Sequence, residues 1–135
     1  MKEEKYDIIY IENSLEKKGI LKLIENEETV TIKIFLERFS LEKHGENYFE
    51  TLLEIRKELE KKYIKLLCKG CCKNVYPSGM VSSMGLGRKA YILTYGKHAK
   101  MDSLVDIFEP CLVEEYGSIE QQLKFFESWI KSLEK

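Results

Sequence analysis

The spacing of hydrophobic residues changes once within the first 62 residues, and this change constrains the fold more than any other feature. Three runs are apolar and rich in β-branched or aromatic residues: 6–12, 20–24 and 29–39. The third alternates apolar and polar side chains from Val30 onwards, as a strand with one covered face requires. Residues 46–62 then show spacings of three, four and seven, the period of an amphipathic helix. The sequence therefore predicts three strands, the first two joined through a polar turn at residues 13–19, and then a helix.

Weaker patterns predict the elements that follow this helix. Residues 64–68 and 90–96 have strand composition, and a long glycine-containing segment separates them. The simplest arrangement makes them two strands around one loop. A short helix is expected over residues 103–108, because Asp102 or Ser103 can cap its first turn and Pro110 prevents its extension.

The C-terminal residues carry a clear helix signal. Ser118 and Gln121 have the spacing of a capping box. The apolar residues that follow mark one face, namely Ile119, Leu123, Phe126, Ile130 and Leu133, widened by Phe125 and Trp129. The element order is βββαββαα, which predicts an α+β fold with an antiparallel sheet of about five strands and helices packed mainly on one face. Residues 1–135 are expected to form a single domain.

Composition narrows the classes of function. With 44% hydrophobic and 33% charged residues the chain has enough apolar side chains for a core. The 22 basic residues nearly balance the 23 acidic ones, so the excess of positive charge typical of nucleic-acid binders is missing. No apolar run has the length of a signal peptide or a membrane span. These features predict a cytoplasmic protein that contacts neither nucleic acid nor membrane directly.

Four cysteines raise the question of a metal or redox site. Cys68 and Cys71 have the spacing with which two thiolates grip zinc or exchange a disulfide, but this is half of a structural zinc site. The other possible metal ligands are Cys72, Cys111, His44 and His98, and they include no second pair with that spacing. Ordinary reduced thiols are the preferred interpretation, with metal binding and redox pairing as alternatives. Neither a metal nor a cofactor is predicted.

Catalytic residues are not evident in the sequence. A pair formed by His98 with Cys68 or Cys72 is formally available, but both histidines lie among turn residues and are expected in loops. Gly79, Gly85 and Gly87 precede Arg88 and Lys89, a combination that could cradle an anion. Their spacing matches neither a P-loop nor a dinucleotide fingerprint, so a turn is the preferred interpretation. The chain is not expected to be an enzyme.

Three short motifs carry a resemblance to a known class of proteins. They are NVYPSGM at residues 74–80, MGLGRKAY at 84–91 and DSLVDIF at 102–108. Together they resemble small bacterial immunity proteins that are encoded beside secreted polymorphic or contact-dependent toxins. The resemblance implies a protein that binds its cognate toxin domain, commonly a nuclease, and neutralises it by stoichiometric occlusion. It covers about a third of the chain.

Aromatic and charged residues are the expected anchors of such an interface. The candidates are Tyr76, Arg88, Tyr95, Glu109, Glu114, Glu115 and Tyr116. The acidic residues among them, together with Asp106, fit either a surface that faces a basic partner and speeds its capture or an ordinary solvated edge. The sequence sets no oligomeric state.

Two alternatives from other classes remain open. One is a small-molecule or anion-binding sensor or enzyme that uses the glycine-containing loop with Arg88 and Lys89. The other is a protein-interaction module, since Phe35 and Phe39 interrupt the polar face of the third strand. Such partial apolarity fits either a strand covered on both sides or a patch that meets a partner.

Overall fold

The computed structural model describes residues 1–77 and 85–134. Its helices and strands are β1 (Lys2–Glu12), β2 (Leu15–Glu25), β3 (Val30–Phe35), β4 (Ser40–Gly45), α1 (Tyr48–Lys61), β5 (Lys65–Leu66), β6 (Val75–Tyr76), β7 (Lys89–Ile92), β8 (Leu104–Asp106) and α2 (Ile119–Ser132). Short 3-10 turns lie between them at Lys69–Cys71, Gly85–Gly87, Met101–Ser103 and Val113–Glu115. The predicted α+β class is confirmed.

Strands of the chain form two antiparallel sheets. The larger sheet is curled and has five strands in the order β4-β3-β2-β1-β5. The smaller has three strands in the order β6-β7-β8. The prediction of an antiparallel sheet of about five strands is confirmed, whereas the second sheet was not predicted.

A tight hairpin joins the two longest strands. Glu12 pairs with Leu15, which leaves Asn13 and Ser14 as a two-residue turn with φ values of 53° and 63°. Positive φ at both central positions matches the right-handed twist of the flanking strands. The longer turn predicted at residues 13–19 is therefore wrong. Its polar residues continue the ladder because one face of an antiparallel sheet tolerates exposure to water.

Helix α1 covers the inner face of the larger sheet. The side chains that meet in this core are at most 1% exposed: Leu21, Leu23, Ile32 and Ile34 from the sheet, and Leu52, Ile55 and Leu59 from the helix. Burying each contributes about 1.5–3 kcal/mol. The side chain of Asn47 accepts a hydrogen bond of 2.9 Å from the backbone N–H of Glu50 and so begins the helix.

Two segments that were predicted to be loop or helix are strands. Strand β4 pairs with β3 along its length, and Oγ1 of Thr31 lies 2.7 Å from Nδ1 of His44, so the loop assignment of His44 is wrong. The short helix predicted at residues 103–108 is also wrong. Residues 104–106 pair with β7, with Leu104 opposite Tyr91. A segment this short does not form a stable helix by itself. The neighbouring strand β7 instead supplies hydrogen-bond partners for its backbone N–H and C=O groups.

The predicted pairing of residues 64–68 with residues 90–96 does not occur. Strand β5 extends the larger sheet, with Leu66 opposite Tyr10 of β1. Strand β7 is the centre of the smaller sheet, between β6 and β8. Strand composition identifies these segments, but the choice of partner depends on contacts that are distant in sequence.

Helix α2 packs with a face that only partly matches the predicted one. Gln122 is 1% exposed, whereas Leu123 and Ile130 are 45% and 42% exposed. Phe126 stacks on Tyr76 of β6 with ring centroids 4.1 Å apart. The apolar stripe is thus rotated, so that a glutamine enters the interior and two aliphatic side chains face outward.

Candidate partner-binding site

The seven residues predicted to bind a partner lie in separate parts of the structure. Tyr76 and Tyr95 pack against α2, and Arg88 bridges the two sheets. The other four lie within one short stretch of chain: Glu109, Glu114, Glu115 and Tyr116. The stretch 109–116, here called the acidic segment, is where these predicted residues cluster.

Arg88 is held by internal partners. Its Nε donates to Oδ2 of Asp106 at 2.9 Å, Nη2 donates to the Tyr6 hydroxyl at 2.7 Å, and Nη1 donates to the Glu4 carboxylate. The hydrogen bond from Arg88 holds the pKa of Glu4 below its ordinary value. Because two carboxylates balance its charge and its side chain is 16% exposed, Arg88 is better suited to joining the two sheets than to holding an anion.

Tyr76 and Tyr95 both stack on aromatic residues of α2. The Tyr76 ring stacks on Phe126 and meets Phe49 edge-on at 5.4 Å, and burial raises the pKa of its hydroxyl. The Tyr95 ring stacks on Phe125 at 4.7 Å but stays 53% exposed. Tyr76 therefore serves packing, while Tyr95 keeps an accessible surface.

Backbone hydrogen bonds hold the acidic segment in place. The N–H of Lys69 donates to the carbonyl of Glu109 at 2.7 Å, and the N–H of Lys73 donates to the carbonyl of Glu115 at 2.9 Å. The side chains that the segment exposes are apolar or acidic: Glu109, Leu112, Val113 and Glu114. The segment thus presents a pre-organised surface, which lowers the entropic cost of binding.

Tyr63 ends α1 in a backbone conformation that favours glycine. Its φ is 57°. The N–H of Ile64 donates to the carbonyl of Leu59 at 3.0 Å, and the N–H of Tyr63 donates to that of Glu60 at 3.1 Å, the Schellman pattern whose left-handed position is usually glycine. A residue with a Cβ there costs about 1 kcal/mol. The Tyr63 side chain is 89% exposed, so burial of the ring does not offset this cost.

A groove of about 820 Å³ runs between α1 and α2. Its apolar floor is Ile119 and Leu123. Its rim carries four carboxylates, those of Glu54, Glu58, Glu60 and Glu120, against the ammonium groups of Lys57 and Lys61. Lys57 pairs with Glu54, Lys61 with Glu58, and Lys124 with Glu120, so the excess of negative charge is small. Glu60 also lines a smaller pocket with Tyr63, Lys65 and Tyr116. The groove, this pocket and the acidic segment form one surface, here called the acidic face.

A buried polar network supports the acidic face from beneath. Arg56 and Gln122 are 2% and 1% exposed. Arg56 donates from Nη1 to Oε1 of Gln122 and from Nη2 to the carbonyl of Gly117, both at 2.7 Å. Nε2 of Gln122 lies 2.9 Å from each of three backbone carbonyls, those of Gly70, Cys72 and Val75. The two side chains tie α1 and α2 to residues 70–75 and to Gly117, which directly follows the acidic segment.

The four cysteines form two pairs, and none is in a disulfide in the described residues. Sγ of Cys68 lies 3.7 Å from Sγ of Cys71, and both are buried. Cys72 and Cys111 form the second pair beside the Glu115 carboxylate. The closeness of these two thiols raises the pKa of Cys111 and lowers that of Cys72. His98 is exposed and lies in the loop after β7.

Sequence reasoning missed three of these residues. The separation of Arg56 and Glu60 by four residues predicts a charged pair on the solvated face of the helix, but the Arg56 side chain is buried. Its position between Ile55 and Leu59, within the apolar stripe, was the available signal. No sequence pattern indicates that Gln122 is buried, and none indicates that Tyr63 adopts a left-handed conformation.

The residues that suggested an anion-binding sensor or a protein-interaction module lie outside the acidic face. Gly79 lies outside the described residues, which end at 77 and resume at 85, and so do Ser78 and Met80 of the motif at residues 74–80. Phe35 is 43% exposed on the outer face of the larger sheet, in a shallow pocket with Lys5, Ile20 and Lys22. Phe39 packs under the ammonium group of Lys62, 5.0 Å from its ring centroid. One of the two phenylalanines is thus open to a partner.

Comparison with family models and with curated proteins adds no assignment. No protein-family model matches the chain, and no curated protein matches it in sequence. Among the described residues, neither helix has the length and apolar character of a membrane span.

Proposed function

We propose that this protein is an immunity protein, which binds a cognate bacterial toxin domain and neutralises it by stoichiometric occlusion. The observation that carries the proposal is the acidic face with Tyr63 at its edge. Tyr63 occupies a position that glycine would fill at lower cost and exposes 89% of its side chain. A costly, exposed aromatic residue is a better candidate for binding than for folding.

The chemistry of the acidic face supports a partner with a basic surface. Four carboxylates line the groove against the ammonium groups of Lys57, Lys61 and the adjacent Lys124, and Glu109 and Glu114 are exposed on the neighbouring acidic segment. A nuclease binds phosphates with lysine and arginine, so its substrate surface is basic. An acidic face complements such a surface, steers association and covers the site where nucleic acid would bind. The proposed occupant is therefore the basic substrate surface of a toxin domain.

Replacement of Tyr63 by glycine separates binding from folding. We expect Tyr63→Gly to leave the stability unchanged or to raise it by up to about 1 kcal/mol, because the left-handed conformation is then unstrained. Truncation of an anchoring tyrosine costs at least about 2 kcal/mol of binding, which is roughly a 30-fold rise in Kd. The measurements are thermal unfolding, titration against the purified toxin domain encoded beside this gene, and growth of cells that express both.

Leu15 offers a matched control. It is 60% exposed at the β1–β2 turn and does not line the acidic face. Leu15→Ala should therefore bind and protect as the unchanged protein does. Protection and affinity that are equally high in Tyr63→Gly would contradict the assignment of the acidic face. Absence of any toxin gene beside this one, or of binding to its product, would refute the immunity function itself.

A further inference from the structure

Three potential metal ligands converge beneath the acidic segment. Sγ of Cys72, Sγ of Cys111 and a carboxylate oxygen of Glu115 all lie within 4.8 Å of one another. Zinc binds thiolate sulfur at about 2.3 Å and carboxylate oxygen at about 2.0–2.2 Å, so tetrahedral ligands lie roughly 3.5–3.8 Å apart. The three donor atoms need to move by about 1 Å or less to share one ion.

The backbone around these donors is already fixed. The N–H of Cys72 donates to the carbonyl of Lys69 at 3.0 Å, and the N–H of Glu115 donates to that of Leu112 at 3.0 Å. Cys72 also forms an isolated β-bridge with Tyr116, the residue next to Glu115. Two chain segments, 69–72 and 111–116, are thereby aligned before any ion binds. Pre-organisation of this kind lowers the cost of ligation.

The local charges suit a divalent ion. Two thiolates and one carboxylate give the site a net charge of −3, and a bound dication brings this net charge to −1. Nζ of Lys69 lies 3.6 Å from Oε2 of Glu115 and balances that remaining charge. Near-neutrality matters because an unbalanced charge in a partly buried site is costly.

The donor types and their exposure select the metal and its coordination. Two thiolates favour zinc over magnesium or calcium, which prefer oxygen ligands. Cys72 is buried, whereas Cys111 and Glu115 are partly exposed, so an ion can enter from solvent and keep a water as its fourth ligand. Cys68 and Cys71 are close together, but in the described part of the chain they form no comparable group with a third donor.

We propose that Cys72, Cys111 and Glu115 form a zinc-binding site that clamps the acidic segment to the chain at residues 69–72. The site does not depend on the proposed immunity function. If that function holds, zinc would stiffen the surface that meets the toxin, because Glu115 belongs to the acidic segment.

Metal titration of the full chain tests this site. The protein is reduced, stripped of metal with a chelator and titrated with zinc against a competing chromophoric chelator, and with cobalt as a spectroscopic probe. We expect about one zinc per chain, a higher Tm with zinc present, and the sulfur-to-cobalt charge-transfer absorption of thiolate ligation. Cys111→Ser and Glu115→Gln should each weaken zinc binding at least about tenfold.

Two variants serve as controls for the ligand assignment. Glu114→Gln removes the neighbouring exposed carboxylate and should leave zinc affinity unchanged. Cys68→Ala removes a thiol of the other pair and should retain the cobalt absorption. The proposal is wrong if the reduced protein takes up no zinc, if Cys111→Ser and Glu115→Gln bind zinc as tightly as the unchanged chain, or if binding is lost in Cys68→Ala while it persists in Cys111→Ser.

Discussion

Replacement of Gln122 by methionine should destabilise this protein more than any substitution on the exposed side of α2. Methionine has nearly the volume of glutamine, so the change removes polar contacts without opening a cavity. It deletes the bonds from Nε2 to three backbone carbonyls and the bond accepted from Arg56. The result is a buried guanidinium and several buried carbonyl groups that lack part of their hydrogen bonding.

The expected loss in the free energy of unfolding follows from these contacts. A hydrogen bond between neutral groups contributes about 1 kcal/mol and one to a charged group about 2 kcal/mol. Because three acceptors share the two amide hydrogens of Gln122, we expect a total loss of about 4 kcal/mol. With an unfolding entropy of about 2.1 cal/mol/K per residue, a chain of 135 residues should lose about 14 °C in Tm.

Thermal and urea unfolding monitored by circular dichroism measure this loss. Glu127→Met is the matched control, because Glu127 is exposed on the same helix and its replacement should change stability by no more than about 0.5 kcal/mol. A loss below about 1 kcal/mol for Gln122→Met would show that water replaces the missing partners and that the network does not hold the two helices in place.

Three further predictions concern other contacts. The lowered pKa of Glu4 means that its bond to Arg88 stabilises the fold fully above the ordinary value of 4.5 and is lost as pH falls through the lower, folded value. Glu4→Gln should therefore lose less stability than the unchanged chain between pH 5 and strong acid. An equal loss of unfolding free energy in the two proteins over this pH range would contradict this. Gly117→Ala should cost about 1–3 kcal/mol in urea unfolding, because a Cβ would lie 2.7 Å from Cα of Lys73; a neutral effect would mean that the two segments separate freely. Glu114→Lys should slow association with the toxin domain at low salt, and an unchanged association rate would argue against electrostatic steering by the acidic segment.

Local patterns in the sequence predicted the elements whose stabilising partners are close in the chain. The alternation in β3, the hairpin of β1 and β2 and the apolar stripe of α1 require only a period and one covered face. The capping box of Ser118 and Gln121 is likewise present, with an N–H to Oγ distance of 3.1 Å. The patterns failed where the partner is remote. Residues 104–106 form a strand because β7 lies beside them, and no feature within residues 103–108 indicates this neighbour.

The candidate site was less predictable than the fold. The sequence suggested residues of the acidic segment, where aromatic and acidic residues lie close together, and it also suggested Arg88 and Tyr76, whose side chains have internal partners. Whether an arginine or tyrosine faces water depends on which distant groups surround it. Tyr63 was missed for a related reason, because exposure and a left-handed φ are properties of the folded helix end.

The sequence by itself determined the α+β class, the main hairpin and the first helix, because hydrophobic period and turn chemistry act over a few residues. Only the tertiary structure decided which polar residues are buried and which apolar ones remain outside. The pairing of Arg56 with Gln122, 66 positions apart, and the grouping of Cys72, Cys111 and Glu115 both depend on the packing of α2 and the acidic segment against the rest of the fold. Contacts over such separations form only when the tertiary structure packs, so the local spacing of residues does not predict them.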